Sequence, residues 1–195
     1  MIVVAILGGL MLGGSVAGAR YPVIHPLERR AFRVVNGLPN WLYWLLWPPM
    51  QLGNLAAGTT AGLGIAAWYR DWPMAWGVVA AAALKLFAER VIRVRTANIL
   101  AVRQRPGTSE PGAILRGADV PAAGPSFPSG HVILVAAVAC VVLSRIPDYV
   151  VWVPFTFTTL VTIGRVYVGA HNPLDVTAGL GAGLLLGGVL GQWVV

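Results

Sequence analysis

Charged residues and cysteine are both scarce in this chain of 195 residues. Only 11% of the residues are charged, whereas a soluble domain carries about 25%. The single cysteine, Cys140, excludes a disulfide within the chain and gives no information about the redox compartment. The hydrophobic residues make up 57% of the chain and occur in long runs, which is typical of a protein that crosses a membrane several times.

The apolar runs predict one all-α domain over residues 1–195, a polytopic membrane bundle of six transmembrane helices. The spans are expected at Ile2–Ala19, Pro49–Trp68, Pro73–Ile92, Gly130–Leu143, Tyr149–Val166 and Pro173–Val194. A helix needs roughly 20 residues to cross the hydrocarbon, so the fourth run must borrow residues from its flanks. Helices satisfy the backbone in lipid, and the alternating pattern of a β-barrel is absent.

Residues 20–48 form an amphipathic segment, in which arginines precede a cluster of tryptophan and tyrosine. Aromatic residues of this kind prefer the headgroup zone, so the segment is predicted to lie at the membrane interface. Glycines recur in the first and last spans, which favours close helix approach. That approach fits either packing within one chain or a homodimer seam.

The net charge is +7, from thirteen arginines and one lysine against seven acidic residues. Most of the basic residues lie in short loops between spans, which favours anchoring at lipid headgroups and argues against a nucleic-acid partner. The lysine, Lys85, lies within the third span, four residues before Glu89. This spacing predicts that the two side chains pair on one helix face.

Three short polar stretches stand out beside the spans. They are Arg105-Pro106, then the Pro-Ser-Gly-His sequence that ends at His131, then Arg165 followed by His171 and Asp175. The chain has only three histidines, and two of them lie in these stretches. Two arginines, two histidines and a carboxylate are the groups needed to split a phosphate ester without a metal.

The second stretch opens the fourth span. Ser129 is a good N-cap, and Gly130 lets an anion approach the backbone. In the third stretch Asn172 is the predicted N-cap and Pro173 the first helical residue. Asp175 is then the third helical residue, from which its carboxylate could reach back and orient His171.

An even number of crossings separates the stretches, so all three are expected on the same side of the membrane. The connection between the third and fourth spans, residues 103–130, is rich in glycine and proline. It is expected to be an active-site loop, either a mobile lid or a plain connection.

The motifs resemble those of the type 2 phosphatidic acid phosphatase superfamily of membrane lipid phosphate phosphatases. That family has Lys-(six)-Arg-Pro, Pro-Ser-Gly-His and Ser-Arg-(five)-His-(three)-Asp, and the resemblance covers residues 98 to 175. This chain has Asn98 in place of the lysine and Gly164 in place of the serine. Arg95 is expected to supply part of the missing charge, whereas Arg103 would point elsewhere if the segment were helical.

The resemblance implies metal-independent hydrolysis of a phosphomonoester or pyrophosphate of a membrane lipid through a phosphohistidine. It assigns nucleophilic attack to His171, oriented by Asp175, and proton transfer to His131. The implied phosphate-binding groups are Arg105, Arg165, the amides of Ser129 and Gly130, and Asn98 or Arg95. No cofactor is implied, and the carboxylates near the motifs, Glu110, Asp119 and Asp175, are too few for a two-metal site.

The lipid class stays open between phosphatidate-type and polyprenyl-type substrates. A lipid-to-acceptor phosphotransferase would use the same phosphohistidine, and a phospholipid binder or flippase would fit the absent lysine. The resemblance implies a multi-pass protein of the plasma membrane with an extracytoplasmic site. The arginines instead favour a cytoplasmic site, because the motif-bearing side carries most of them and the opposite loops only Arg70 and Arg145.

Overall fold

A computed structural model describes residues 1–21, 23–97 and 103–194. Its helices are α1 (Ile2–Ala19), α2 (Pro26–Asn36), α3 (Leu42–Met50), α4 (Leu55–Trp68), α5 (Trp72–Arg95), α6 (Gly130–Leu143), α7 (Trp152–Tyr167) and α8 (Pro173–Trp193). Single turns occur at Gln51–Gly53, Pro106–Ser109 and Asp148–Val150. These ranges contain no β-strand, which agrees with the all-α prediction. Asn98 lies outside the described residues.

Three helical segments are long and apolar enough to cross a membrane, namely Ile2–Ala19, Asp148–Tyr167 and Pro173–Trp193. The helices α4 and α6 are apolar but have only 14 residues each. Helix α5 is longer, but its C-terminal half contains charged side chains, beginning with Lys85. Crossing by six helices is therefore not confirmed.

Helix α6 lies at the centre of the bundle. Eleven of its fourteen residues are buried, and it packs against α4, α5, α7 and α8. A helix enclosed on all sides must be apolar all round, as this sequence is. Its first turn is therefore held firmly, and this turn contains His131.

Helices α1 and α8 approach so closely that their glycines cannot be replaced without a clash. A Cβ atom on Gly181 would lie 2.6 Å from the backbone nitrogen of Leu12, and one on Gly8 would lie 2.7 Å from the carbonyl oxygen of Gly181. On another face of α8, a Cβ on Gly183 would lie 2.6 Å from Ile133 O in α6. These glycines therefore serve packing within one chain.

The amphipathic segment folds into α2 and α3. Phe32 is buried against the bundle, whereas Trp41 and Trp44 are exposed. The N-cap of α2 is His25, whose Nδ1 accepts a hydrogen bond from the Leu27 N–H at 3.2 Å. Helix α2 contacts both α7 and α8, so the segment lies against the end of the bundle that carries the three polar stretches.

Candidate active site

The structure brings the three polar stretches together at one end of the bundle. The Ser129 N–H, before α6, donates a hydrogen bond to the Asp175 carbonyl oxygen in α8 at 3.0 Å. Arg105 Nη1 donates to the carbonyl oxygen of Ala170, just after α7, at 2.9 Å. The C-terminal end of α7 and the N-terminal ends of α6 and α8 thus meet the loop that contains Arg105.

The start of helix α8 follows the sequence prediction. Asn172 is the N-cap, Pro173 is the first helical residue, and Asp175 is the third. The Asn172 N–H donates to Asp175 Oδ2 at 2.9 Å. A carboxylate in this position satisfies an amide that the helix itself leaves unpaired.

The expected contact between Asp175 and His171 is not formed, which corrects that part of the sequence prediction. Asp175 is fully buried and its Oδ1 accepts a hydrogen bond from Arg103 Nε at 2.9 Å. His171 Nδ1 instead lies 2.8 Å from the carbonyl oxygen of Ser126. Both carboxylate oxygens accept hydrogen bonds from other donors, and the backbone of the loop orients the imidazole instead.

Ser126 fixes the tautomer of His171. A carbonyl oxygen only accepts hydrogen bonds, so Nδ1 must carry the proton and donate it. In the neutral ring the lone pair is then on Nε2. Burial, and after it the positive charges of Arg165 and Arg105, hold the pKa of His171 well below its usual value of 6.5. The imidazole is therefore neutral at pH 7, as a nucleophile must be.

Arg103 corrects a second expectation. It lies in a loop rather than a helix, and its side chain reaches the site instead of pointing away. Its buried guanidinium contacts Asp175 and also Glu28, whose Oε1 lies 2.5 Å from Arg103 Nη2. Its carbonyl oxygen accepts hydrogen bonds from the Ser126 N–H at 3.2 Å and Oγ at 3.0 Å. Arg103 thus bonds both to Ser126, the partner of His171, and to Asp175, the partner of Asn172.

Arg165 is a buried cation that donates no hydrogen bond within the described residues, although the carboxylate of Asp119 attracts its charge. It is 5% exposed, and its Nε has no hydrogen-bond partner in the described part of the chain. Such a group costs free energy unless an anion joins it. The hydroxyl of Ser129 is also buried and has no hydrogen-bond partner among the described residues. Both are donors, so this end of the bundle is suited to binding an anion.

Arg105 and His131 complete the group of basic residues. Burial, and then the positive charge of Arg93, lower the pKa of the half-buried Arg105. His131 is half-buried in the first turn of α6, where a Cβ on Gly53 would lie 2.6 Å from the His131 Cβ. A cavity of about 30 Å³ is lined by both His131 and Arg165.

Three of the expected phosphate-binding groups need revision. The Ser129 amide already donates to Asp175, so within residues 1–21, 23–97 and 103–194 its hydroxyl is the donor left without a partner. One face of Gly130 is covered by the Glu89 carboxylate, since a Cβ there would lie 2.5 Å from Glu89 Oε2. Arg95 is exposed on α5, about 200° around the helix from Arg93, so its position gives no support to the expected role.

The loop between α5 and α6 is tied to the bundle by Arg116. This buried guanidinium donates to the carbonyl oxygens of Asn36 (2.8 Å), Leu38 (3.0 Å) and Tyr167 (2.7 Å). It also lies 4.2 Å above the ring of Tyr167, a cation–π contact. These bonds join the loop to the α2–α3 link and to the end of α7, which favours a fixed connection over a mobile lid around residue 116.

Comparison with known proteins agrees with this arrangement. A family model described as the PAP2 superfamily matches residues 74–195. Undecaprenyl-diphosphatase of Sulfolobus acidocaldarius is 38% identical over 69 residues, a segment that spans 35% of this chain and only 30% of that relative.

Two solved structures share the fold. A PAP2-type phosphatidylglycerolphosphate phosphatase from Bacillus subtilis has a TM-score of 0.74 and 21% identity, over 95% of this chain and 93% of that one. Aquifex aeolicus LpxE has a TM-score of 0.71 and 22% identity, over 86% of this chain and 98% of that one. At these identities the two structures show the fold alone.

Proposed function

The chain belongs to the PAP2 superfamily, whose phosphatases are phosphoric ester hydrolases, and we propose that it removes phosphate from a membrane lipid through a phosphohistidine. The substrate is a phosphomonoester or pyrophosphate, and no metal takes part. The observation that carries this proposal is the buried Arg165, whose Nε has no hydrogen-bond partner among the described residues and whose charge acts on the neutral His171. A phosphate would supply the missing acceptor and place its phosphorus near the nucleophile.

In the first step, Nε2 of His171 attacks phosphorus while Nδ1–H stays bonded to Ser126 O. The N–P bond forms as the P–O bond to the lipid breaks, and His131, which takes up a proton when the anionic substrate binds, gives that proton to the departing lipid oxygen. Arg105 and Arg165 neutralise the charge on the equatorial oxygens. The hydroxyl of Ser129 donates a further hydrogen bond to them.

In the second step, His131 takes a proton from water, and the resulting hydroxide attacks phosphorus. The N–P bond breaks, inorganic phosphate leaves, and His171 regains its lone pair. Asp175 acts indirectly. Its carboxylate accepts hydrogen bonds from the Asn172 amide and from Arg103, and the Arg103 carbonyl oxygen in turn accepts one from Ser126. Asp175→Asn is therefore expected to be milder than His171→Ala.

The experiment is phosphate release by the purified protein from a panel of phosphatidate-type and polyprenyl-type phosphates and diphosphates. These classes include the substrates named for the similar proteins. His171→Ala should reduce turnover by several orders of magnitude and abolish a trapped phosphoenzyme, with the melting temperature recording that the variant folds. Near-normal phosphate release by folded His171→Ala would exclude the mechanism.

The same assay tests independence from metals. No group of three histidine, cysteine or acidic side chains is placed to hold an ion within the described ranges. Activity should survive a chelator, and vanadate, which mimics pentavalent phosphorus, should inhibit. Loss of activity on chelation with recovery on adding magnesium would contradict the phosphohistidine route.

We further propose that α4, α5 and α6 also cross the membrane, completing six crossings in one domain of the plasma membrane. We also propose that the site faces the extracytoplasmic side, as the family resemblance implies. A cysteine introduced in the loop at the exposed Ala123 should react in intact cells with an impermeant thiol reagent, while buried Cys140 should not. Reaction only after the cells are opened would place the site in the cytoplasm.

A further inference from the structure

Helix α5 carries a row of three charged side chains along one face. Glu89 Oε2 lies 2.7 Å from Lys85 Nζ, and Glu89 Oε1 lies 2.6 Å from Arg93 Nη2. The side chains of Lys85, Glu89 and Arg93 are 13%, 17% and 40% exposed. One carboxylate shared by two cations leaves the row with a net positive charge.

The row faces the candidate active site. Helix α5 packs along α6, and the Glu89 carboxylate lies against Gly130, the first residue of α6. A Cβ at position 130 would lie 2.5 Å from Glu89 Oε2, so a side chain there would displace the carboxylate. The next residue along α6 is His131.

The charges of the row act electrostatically on the basic residues of the candidate active site. Arg93 and Glu89 act in opposite directions on the pKa of Arg105, which burial lowers most. Lys85, with Arg165 and Arg105, is among the charges that act on His131. A structural ion pair at a lipid-facing position would have no such neighbours.

We propose that Lys85 and Arg93 bind the substrate's phosphate, whose oxygens replace the Glu89 carboxylate between them. In the free protein Glu89 compensates the two partly buried cations. A phosphate carries more charge and more acceptor oxygens than a carboxylate, so it is the better partner for both. This inference rests on the proposed function and supplies from α5 the cation that Asn98 does not provide.

The test compares Lys85→Met and Arg93→Met with Arg90→Met, which removes an exposed arginine from the same helix. The first readout is the rise in melting temperature that inorganic phosphate produces, since a ligand stabilises the state that binds it. The second is the KM for whichever lipid the wild type hydrolyses. Lys85→Met and Arg93→Met should each weaken phosphate binding and raise KM by about 10-fold or more, while Arg90→Met matches wild type.

Glu89→Gln distinguishes replacement of the Glu89 carboxylate by phosphate from a purely structural role of the Lys85–Glu89–Arg93 ion pairs. Loss of the competing carboxylate should tighten phosphate binding, whereas a structural role predicts lower stability with unchanged binding. If Glu89→Gln does not fold, Lys85→Met still decides, because Glu89 then keeps its bond to Arg93. Wild-type phosphate affinity in folded Lys85→Met and Arg93→Met overturns this inference but leaves the hydrolase intact. Activity in His171→Ala overturns the proposed mechanism itself.

Discussion

Arg103 Nε donates a 2.9 Å hydrogen bond to Oδ1 of Asp175, and both side chains are buried. The same guanidinium contacts Glu28 in α2, and Glu28 Oε1 also accepts the Leu174 N–H at 2.9 Å. One arginine therefore links α2, the loop and the start of α8. Burial opposes ionisation of Arg103, but Asp175 and Glu28 outweigh it and raise its pKa.

Arg103→Met should destabilise the fold by about 3–5 kcal/mol, because it leaves the carboxylate of Asp175 buried without its cation. Activity should fall as well, since Asp175 and Ser126 lose a shared support. Arg103→Lys keeps the charge and should recover part of both. The measurements are unfolding in detergent and phosphate release.

The control is Arg145→Met. It breaks the ion pair with Asp71, in which the arginine side chain is 31% exposed, and should cost about 0–1 kcal/mol. Equal losses from the two substitutions would show that the Arg103 pair has no special role.

The cap of α8 could be predicted from the sequence because it is local. Asn172, Pro173 and Asp175 are near neighbours in the chain, and the residue types favoured at each helical position are known. The contact between Glu28 and Arg103 joins residues 75 positions apart, and no local pattern specifies it. In the sequence, the contact is hinted at only by Glu28, the one acidic residue of α2, which precedes the arginines of that helix.

The orientation of His171 shows a related limit. The spacing to Asp175 suggested a carboxylate partner, but a backbone carbonyl holds the ring. Backbone groups are present at every residue, so the sequence cannot single out Ser126 as the acceptor. The sequence predicts the residue types of the site but not which of them form contacts.

Acidification should remove a component of stability that belongs to His171. Its pKa in the folded protein is lowered, so between that value and 6.5 the unfolded chain binds more protons than the folded one. The stability is fully present above pH 6.5 and is lost as the pH falls from there towards the folded pKa.

This component is measured as the difference in unfolding free energy between wild type and His171→Gln at several pH values. The difference should shrink as the pH falls below about 6.5. His25→Asn, which retains an N-cap on α2, should follow wild type. A difference that is constant with pH would show that His171 is not held neutral.

The glycines of α1 offer a matched pair. Gly8 packs against Gly181 and Leu185 of α8, whereas no atom lies within 4 Å of the position of a Cβ on Gly13. Gly8→Ala should destabilise by about 1–3 kcal/mol through overpacking. Gly13→Ala should be neutral or stabilise by about 0.5–1 kcal/mol, because alanine favours the helix.

Unfolding in detergent measures both effects, and cross-linking in membranes adds the oligomeric state. A large cost or a change of oligomer for Gly13→Ala would identify the exposed face of α1 as a homodimer seam. Equal costs at both positions would contradict the packing of α1 on α8.

Two buried arginines, Arg165 and Arg116, should respond to substitution with opposite signs. Arg116 donates to three carbonyl oxygens and to Asn40 Oδ1, so Arg116→Met should destabilise by about 3 kcal/mol or more. Arg165 Nε has no hydrogen-bond partner among the described residues, and the cost of burial outweighs the attraction of Asp119, so Arg165→Met should raise the unfolding free energy by about 1 kcal/mol or more. The same substitution should abolish both phosphate release and the stabilisation of the protein by inorganic phosphate, because the site loses a cation aimed at the anion. A destabilised Arg165→Met that still responds to phosphate would show that Arg165 has a structural partner and that the anion binds elsewhere.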